Sequence, residues 1–248
     1  PMMTELRLSG NDLVLPLFVT EERDEPVAIP SMPEQFRWPV ERLVEKIIEW
    51  RSLGLRAFAL FPHLDASRKD EEGTEILNPN SLVYRAARRI KEEADDIALI
   101  GDLALDPYTS HGHDGLLHKG KILNDETVEI LVKQSLLQAE MGCDVISPSD
   151  MMDGRIGEIR KNLDKNNFKN VQILSYAVKF ASSFYGPFRN AVGSNNLLKG
   201  DKKTYQMDYS NNLESLREVA LDIKEGADMV MVKPGMPYLD IIRMVKDN

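Results

Sequence analysis

The strongest limit on the fold of this chain is an alternation. Seven short apolar runs, at residues 13–19, 56–61, 97–103, 144–147, 171–176, 204–207 and 229–232, are each followed by a stretch with helical features, the sixth run being the weakest. Apolar runs of this length between turn residues read as strands buried on both faces, and such strands need helices to cover them. The intervening segments supply the helices. Residues 41–53 place Leu43, Val44, Ile47 and Ile48 on one side, with Gly54 as a stop, and residues 79–93 open on Pro79. Asn124 reads as the cap of a helix bearing Val128, Leu131, Val132, Leu136 and Ala139 and ending at Gly142. Further helices are expected over 154–165, around 179–191, over 213–225 and from 237 to 246. Pro16 implies a kink or bulge in the first strand, and residues 20–39 read as loop.

Strands alternating with helices predict a parallel sheet, either an open doubly wound sheet or a (β/α)8 barrel. No glycine fingerprint follows the first strand, and no phosphate-cradling GxxxxGK[ST] occurs, so the dinucleotide reading of an open sheet has no support. The residues with chemical character instead follow the third to seventh strands, as on the catalytic face of a TIM-type barrel. The expectation is therefore one α/β barrel domain over 1–248, with 13–248 forming barrel units and 1–12 a remnant of an arm. Seven units are visible, and an eighth would need about 30 more residues. On that count the chain reads as a piece of a longer protein, and its start at Pro1 points the same way.

The net charge of -9 and the lack of a basic run argue against general nucleic-acid binding. No stretch approaches ~18 consecutive apolar residues, so no membrane span is expected. Cys143 is the single cysteine, which rules out an internal disulfide or a multi-cysteine zinc site, and it reads as a buried inert thiol. A reducing compartment follows, cytoplasmic or, after removal of a targeting segment, an organelle such as a plastid.

Two lysines carry the chemistry. Lys233 ends the run 229–232 and precedes Pro234-Gly235, while Lys179 lies three residues past the run 171–176 and opens an aromatic segment. A single strand-end lysine is usually a surface residue with its stem along apolar neighbours. Two such lysines sharing a partly desolvated pocket are different, because burial and like charge both favour the neutral amine that can attack a carbonyl.

The segments SYAVKFASSFYGPFR, GDKKTYQMD, ALDPYTSHGHDG, SPSDMMDGR and GADMVMVKPGMPYLDII occur in one order in this chain. Together they resemble the signature segments of the 5-aminolevulinate dehydratase (porphobilinogen synthase) family. The resemblance implies a TIM barrel that condenses two 5-aminolevulinate molecules to porphobilinogen through lysine Schiff bases, a step of heme and chlorophyll biosynthesis, with no organic cofactor. It makes Lys233 the principal Schiff-base lysine and Lys179 the second. Asp102 would handle the substrate amine and proton transfer. Arg189 and Lys202 would hold a substrate carboxylate with a hydrogen bond from Gln206, Tyr185 and Phe184 would line the pocket, and Ser149 and Asp150 would add polar contacts. Asp153 and Arg155 read as a simple pair.

Zinc-dependent members place three cysteines where this chain has Ala104, Asp106 and Asp114. Carboxylates suit magnesium rather than zinc, so no active-site zinc is expected. His111 and His113, with no third nitrogen or sulfur ligand, read as hydrogen-bonded loop residues. Glu218 matches an allosteric magnesium position, and the family forms homo-oligomers, commonly octamers. Another Schiff-base lyase such as an aldolase would explain one lysine but not the second or the Arg189, Lys202 and Gln206 set. A non-catalytic fragment is the remaining alternative.

Overall fold

A computed structural model describes residues 3–194 and 197–248. Its strands, in chain order, are β1 (Val14–Thr20), β2 (Val27–Ala28), β3 (Phe36–Trp38), β4 (Ala57–His63), β5 (Ala98–Leu103), β6 (Leu116–His118), β7 (Lys121–Leu123), β8 (Val145–Pro148), β9 (Gln172–Lys179) and β10 (Met229–Lys233). The helices are α1 (Val40–Ser52), α2 (Leu82–Glu93), α3 (Asn124–Glu140), α4 (Arg155–Lys165), α5 (Gly186–Ala191), α6 (Asn212–Glu225) and α7 (Leu239–Asp247).

The main sheet runs β10-β9-β8-β5-β4-β1-β3-β2, with β6 and β7 forming a separate hairpin. From β1 through β4, β5, β8 and β9 to β10, each strand lies parallel to the next long strand in the chain. A doubly wound sheet reverses its strand order at a switch point, and this one does not, which is the winding of a barrel. The two faces separate accordingly. Leu17, Val19, Phe58, Leu60 and Leu99 pack outward against Leu43, Ile47, Ala87 and Ile90 of the helices. Their alternates Phe18, Ala59, Phe61, Ile100, Val145 and Leu174 share the inner cluster, as the two-residue period of a strand requires.

Several expectations need correction. The weak strand at 204–207 is only a bridge between Met207 and Phe180, because β9 continues to Lys179 and takes β10 as its neighbour. The described residues therefore hold six barrel strands, not seven. The helix expected around 179–191 shrinks to a 3-10 turn, Ser183–Tyr185, and the six residues of α5. β10 is not buried on both faces: it is the outer strand of the row, and its residues are exposed or half-buried. The loop at 20–39 contains β2 and β3, too short to leave a period, with β3 adding to β1. Pro16 causes no bulge. β1 pairs with β4 in unbroken register through Pro16↔Ala59, while β3 flanks β1 only at Phe18 and Val19, so a ladder hydrogen bond on that side is not needed at Pro16. Helix α2 starts at Leu82 rather than Pro79, and Leu123, not Asn124, holds the cap position of α3. Cys143 is buried, as expected. Of residues 1–12, expected as an arm, the first two lie outside the described residues, as do 195 and 196.

Candidate active site

The two lysines meet because β9 and β10 end together. Lys233 is the register partner of Lys179, and paired positions on neighbouring strands point to the same face. The junction is closed by hydrogen bonds: Phe180 N donates to Lys233 O at 3.0 Å, and the Tyr185 hydroxyl reaches Phe180 O at 2.8 Å and Lys233 O at 3.0 Å. Both lysines line one narrow cavity, open to solvent at its mouth, with Asp102, Asp106, Asp114, Ser149, Arg189, Lys202 and Gln206.

Lys233 sits among aromatic faces, its Nζ 4.6 Å from the Phe188 ring centroid, 4.8 Å from Tyr176 and 5.9 Å from Tyr185. Burial first, and the like charge of Lys179 second, push its pKa down to about 8 against the pull of Asp102, Asp106 and Asp114. At neutral pH roughly one molecule in ten then carries the neutral amine, against fewer than about one in a thousand for an ordinary lysine. Lys179 is held differently. Its ammonium donates to the Ser149 carbonyl and lies 3.6 Å from Asp114 Oδ1.

Asp102 ends the inner side of β5 with Oδ1 enclosed and unpartnered among the described residues. Burial, then the charge of Asp106, raises its pKa to about 7, with the Ser149 hydroxyl, Lys233 and Lys179 opposing. A carboxyl near 7 can both take and return a proton at neutral pH.

Lys202 is 2.7 Å from Asp114 Oδ2 and 3.2 Å from Asp106 Oδ2. Tyr205 also donates to Asp114 Oδ2 at 2.8 Å, and His113 Nδ1 lies 3.0 Å from the Tyr205 hydroxyl. Burial alone would raise Asp114, but the ammonium groups of Lys202 and Lys179 outweigh it and hold the carboxyl at about 2. Burial would likewise lower Lys202, and the two aspartates reverse that and raise it. His111 Nε2 contacts Glu71 O at 3.1 Å and His113 Nε2 contacts Lys199 O at 2.7 Å, the loop roles the sequence implied.

Three site expectations change. Phe184 does not line the cavity: it is 69% exposed at the middle of the 3-10 turn, which turns Tyr185 inward and Phe184 out. The aromatic wall comes from Phe188 and Phe61 instead. The sequence held no signal that favoured Phe188 over Phe184; the 3-10 turn decides between them. Asp150 points away from the cavity and, at 0% exposure, faces Arg155 at 3.4 Å, which also lies 3.9 Å from Asp222. Arg155 therefore pairs with these two rather than with Asp153. Burial raises Asp150 to about 6 despite Arg155. Glu218 is half-buried on α6, beside Asn211, Glu214 and Arg217, away from the lysines.

Paired lysines at the strand ends of a barrel, one with a depressed pKa, beside a carboxyl near 7 and a cationic rim, define an enzyme of the Schiff-base class. The family model of delta-aminolevulinic acid dehydratase matches residues 1–248. The chain is 56% identical over 247 residues to delta-aminolevulinic acid dehydratase of Bradyrhizobium diazoefficiens, covering 100% of this chain and 70% of that protein. It is 49% identical to the chloroplastic enzyme of Oryza sativa, covering 98% of this chain and 57% of that one. The crystal structure of the Toxoplasma gondii enzyme in complex with its reaction product porphobilinogen superimposes with a TM-score of 0.96 at 47% identity, over 99% of this chain and 70% of that one. This chain belongs to the delta-aminolevulinic acid dehydratase family, whose enzymes are also called porphobilinogen synthases. No helix among the described residues is long and apolar enough to cross a membrane.

Proposed function

We propose that this barrel face makes porphobilinogen from two molecules of 5-aminolevulinate with Lys233 and Lys179 as the two Schiff-base lysines. The observation that carries the assignment is their registered pairing at one cavity, with the pKa of Lys233 drawn down to about 8. The neutral amine of Lys233 attacks a substrate ketone and water leaves. The resulting iminium makes the adjacent carbon acidic and the former carbonyl carbon electrophilic, as a condensation requires. Asp102, within the cavity and near pKa 7, exchanges protons with the substrate amine and the acidic carbon. Arg189 receives a substrate carboxylate on its planar fork, with Gln206 beside it. Lys202 sits at the same wall, yet it is already bonded to Asp106 and Asp114, so its share in carboxylate binding requires that network to open.

That network also bears on metals. The donors where zinc-dependent relatives have thiolates are two carboxylates whose common position is filled by the Lys202 ammonium, and soft-ligand zinc does not fit them. Glu218 fits magnesium better. Its carboxyl is raised by partial burial and by the charges of Asp222 and Asp153, a surplus that a cation relieves. Magnesium commonly keeps several of its waters and needs only one or two protein carboxylates. Magnesium at Glu218 is expected to stimulate porphobilinogen formation, and Glu218→Gln to lose the stimulation while keeping the basal rate. Stimulation that persists in Glu218→Gln rules the site out.

The same reading covers one barrel domain over 13–248 with residues 1–12 as an arm, homo-oligomeric assembly of the octameric kind, and a reducing cytoplasmic or plastid compartment suited to the buried Cys143. Sedimentation velocity tests the assembly.

The pH dependence follows from Lys233. Protonated lysine cannot attack a ketone, so the rate of borohydride-trapped adduct at Lys233 rises with pH through about 8. Lys179→Met removes the neighbouring positive charge and shifts that limb upward, toward an ordinary lysine. The substrate amine titrates identically in both proteins, so the difference between the two profiles belongs to the enzyme. Coincident profiles would contradict the coupling of the lysines.

A further inference from the structure

We propose that Arg37, on β3, is a positioning residue for the substrate-carboxylate site, tying the C-terminal end of α5 to the barrel wall so that Arg189 and Phe188 stand over the cavity. The inference rests on the reading of Arg189 as the carboxylate-binding residue.

The tether is specific in its geometry. Arg37 Nε donates to Ala191 O at 2.8 Å and Nη2 donates to Asn190 O at 2.6 Å. The last carbonyls of a helix have no partner within the helix; those of Phe188, Arg189 and Asn190 accept from Val192, Ser194 and Gly193 N in the turn that follows, and the two Arg37 bonds are the ones that reach from this helix end back to β3. A planar guanidinium that grips two successive carbonyls fixes both the position and the rotation of the helix end. Arg37 is itself fixed: it is the register partner of Phe18 on β1, and Glu22 lies 3.7 Å from its Nη1. Ser31 adds a smaller clip, with its Oγ 3.0 Å from Asn190 Oδ1 and 3.3 Å from Pro187 O. Beyond the helix, Gly193 at φ +71° passes so close to the wall that a Cβ there would stand 2.7 Å from His63 Nε2.

What this end of the chain carries is the active-site wall. Phe188 packs edge-on to Phe61, centroids 5.0 Å apart, and lies 4.6 Å from Lys233 Nζ. Arg189 is the next residue and lines the same cavity. Arg37 does not line that cavity itself, so its influence passes through α5.

The test compares Arg37→Ala, Arg37→Lys, Arg189→Ala and the double variant Arg37→Ala/Arg189→Ala by steady-state porphobilinogen formation and thermal melting. Arg37→Ala is expected to raise KM for 5-aminolevulinate ~10-fold with kcat changed less than ~3-fold, as for a group acting on substrate binding rather than on the chemical step. Arg37→Lys, which reaches one carbonyl, falls between Arg37→Ala and the parent. In the double variant KM rises no further than in Arg189→Ala, because the tether has nothing left to position. An unchanged KM in Arg37→Ala beside a raised KM in Arg189→Ala overturns the proposal and leaves the role of Arg189 standing. A fall in kcat and melting temperature together, at unchanged KM, marks Arg37 as merely structural and overturns it as well. An unchanged KM in Arg189→Ala removes the reading beneath it. If Arg37→Ala does not fold, Arg37→Lys and Ser31→Ala decide: a KM raised at least ~2-fold in both supports the tether, and parent KM in both overturns it.

Discussion

Lys233→Ala is expected to lower kcat for porphobilinogen formation by at least ~10⁴-fold, the scale on which loss of a covalent nucleophile is felt. Lys179 does not take over, because in the proposed condensation each lysine holds its own substrate molecule, and Lys179 lies at the other side of the pair, against the Ser149 carbonyl and Asp114. The loss should not come from unfolding. Lys233 makes no ion pair among the described residues and lies half-buried against Tyr176, Phe188 and Tyr185, so its removal relieves a partly desolvated charge and leaves the closing hydrogen bonds from Phe180 and Tyr185, which reach only its backbone carbonyl. Rates measured beside a melting curve check both halves. A variant that keeps more than about a tenth of the parent kcat, against the loss expected of a nucleophile, would remove Lys233 from that role.

Asp102→Asn is expected to lower kcat by roughly 10²–10⁴-fold, the range of a single general acid–base group, while Schiff-base formation at Lys233 survives. The carboxyl is raised to about 7 by burial and by Asp106, and an amide of the same shape cannot carry the proton. The signature is a divergence of two readouts, with porphobilinogen formation nearly lost and the borohydride-trapped adduct retained. Electrostatics alone favour trapping, since Asp102 opposes the depression of the Lys233 pKa, and its removal lets that pKa fall further toward the neutral amine. A parent-like kcat would show that the protons move through another group.

The barrel winding and both lysines were legible in the sequence because each has a local signature. Apolar runs such as 97–103 and 144–147 reappear as β5 and β8 within a residue or two, and the pattern behind α1 put Leu43, Val44 and Ile47 in the core. What was not legible depends on contacts between distant residues. β3 has three residues and becomes a strand because β1 offers it an edge, which no periodicity records. The run 204–207 has strand composition, yet β10 occupies the flank of β9 and leaves it a single bridge. Phe184 and Phe188 are indistinguishable by composition, and only the 3-10 turn decides which faces the lysines. The two aspartates at 106 and 114 invite a metal until Lys202, about ninety residues further on, is seen between them.

Borohydride trapping with 5-aminolevulinate, followed by peptide mass mapping, reads out whether Lys233 forms an imine with the substrate ketone. Hydride converts an iminium to a stable amine, so the mass shift stays on the lysine that reacted. An adduct is expected on the peptide containing Lys233, a second on the peptide containing Lys179 as substrate concentration rises, and porphobilinogen in parallel samples left untrapped. A folded protein that yields no adduct at either lysine, or one confined to surface lysines such as Lys161 or Lys203, would contradict imine formation at Lys233.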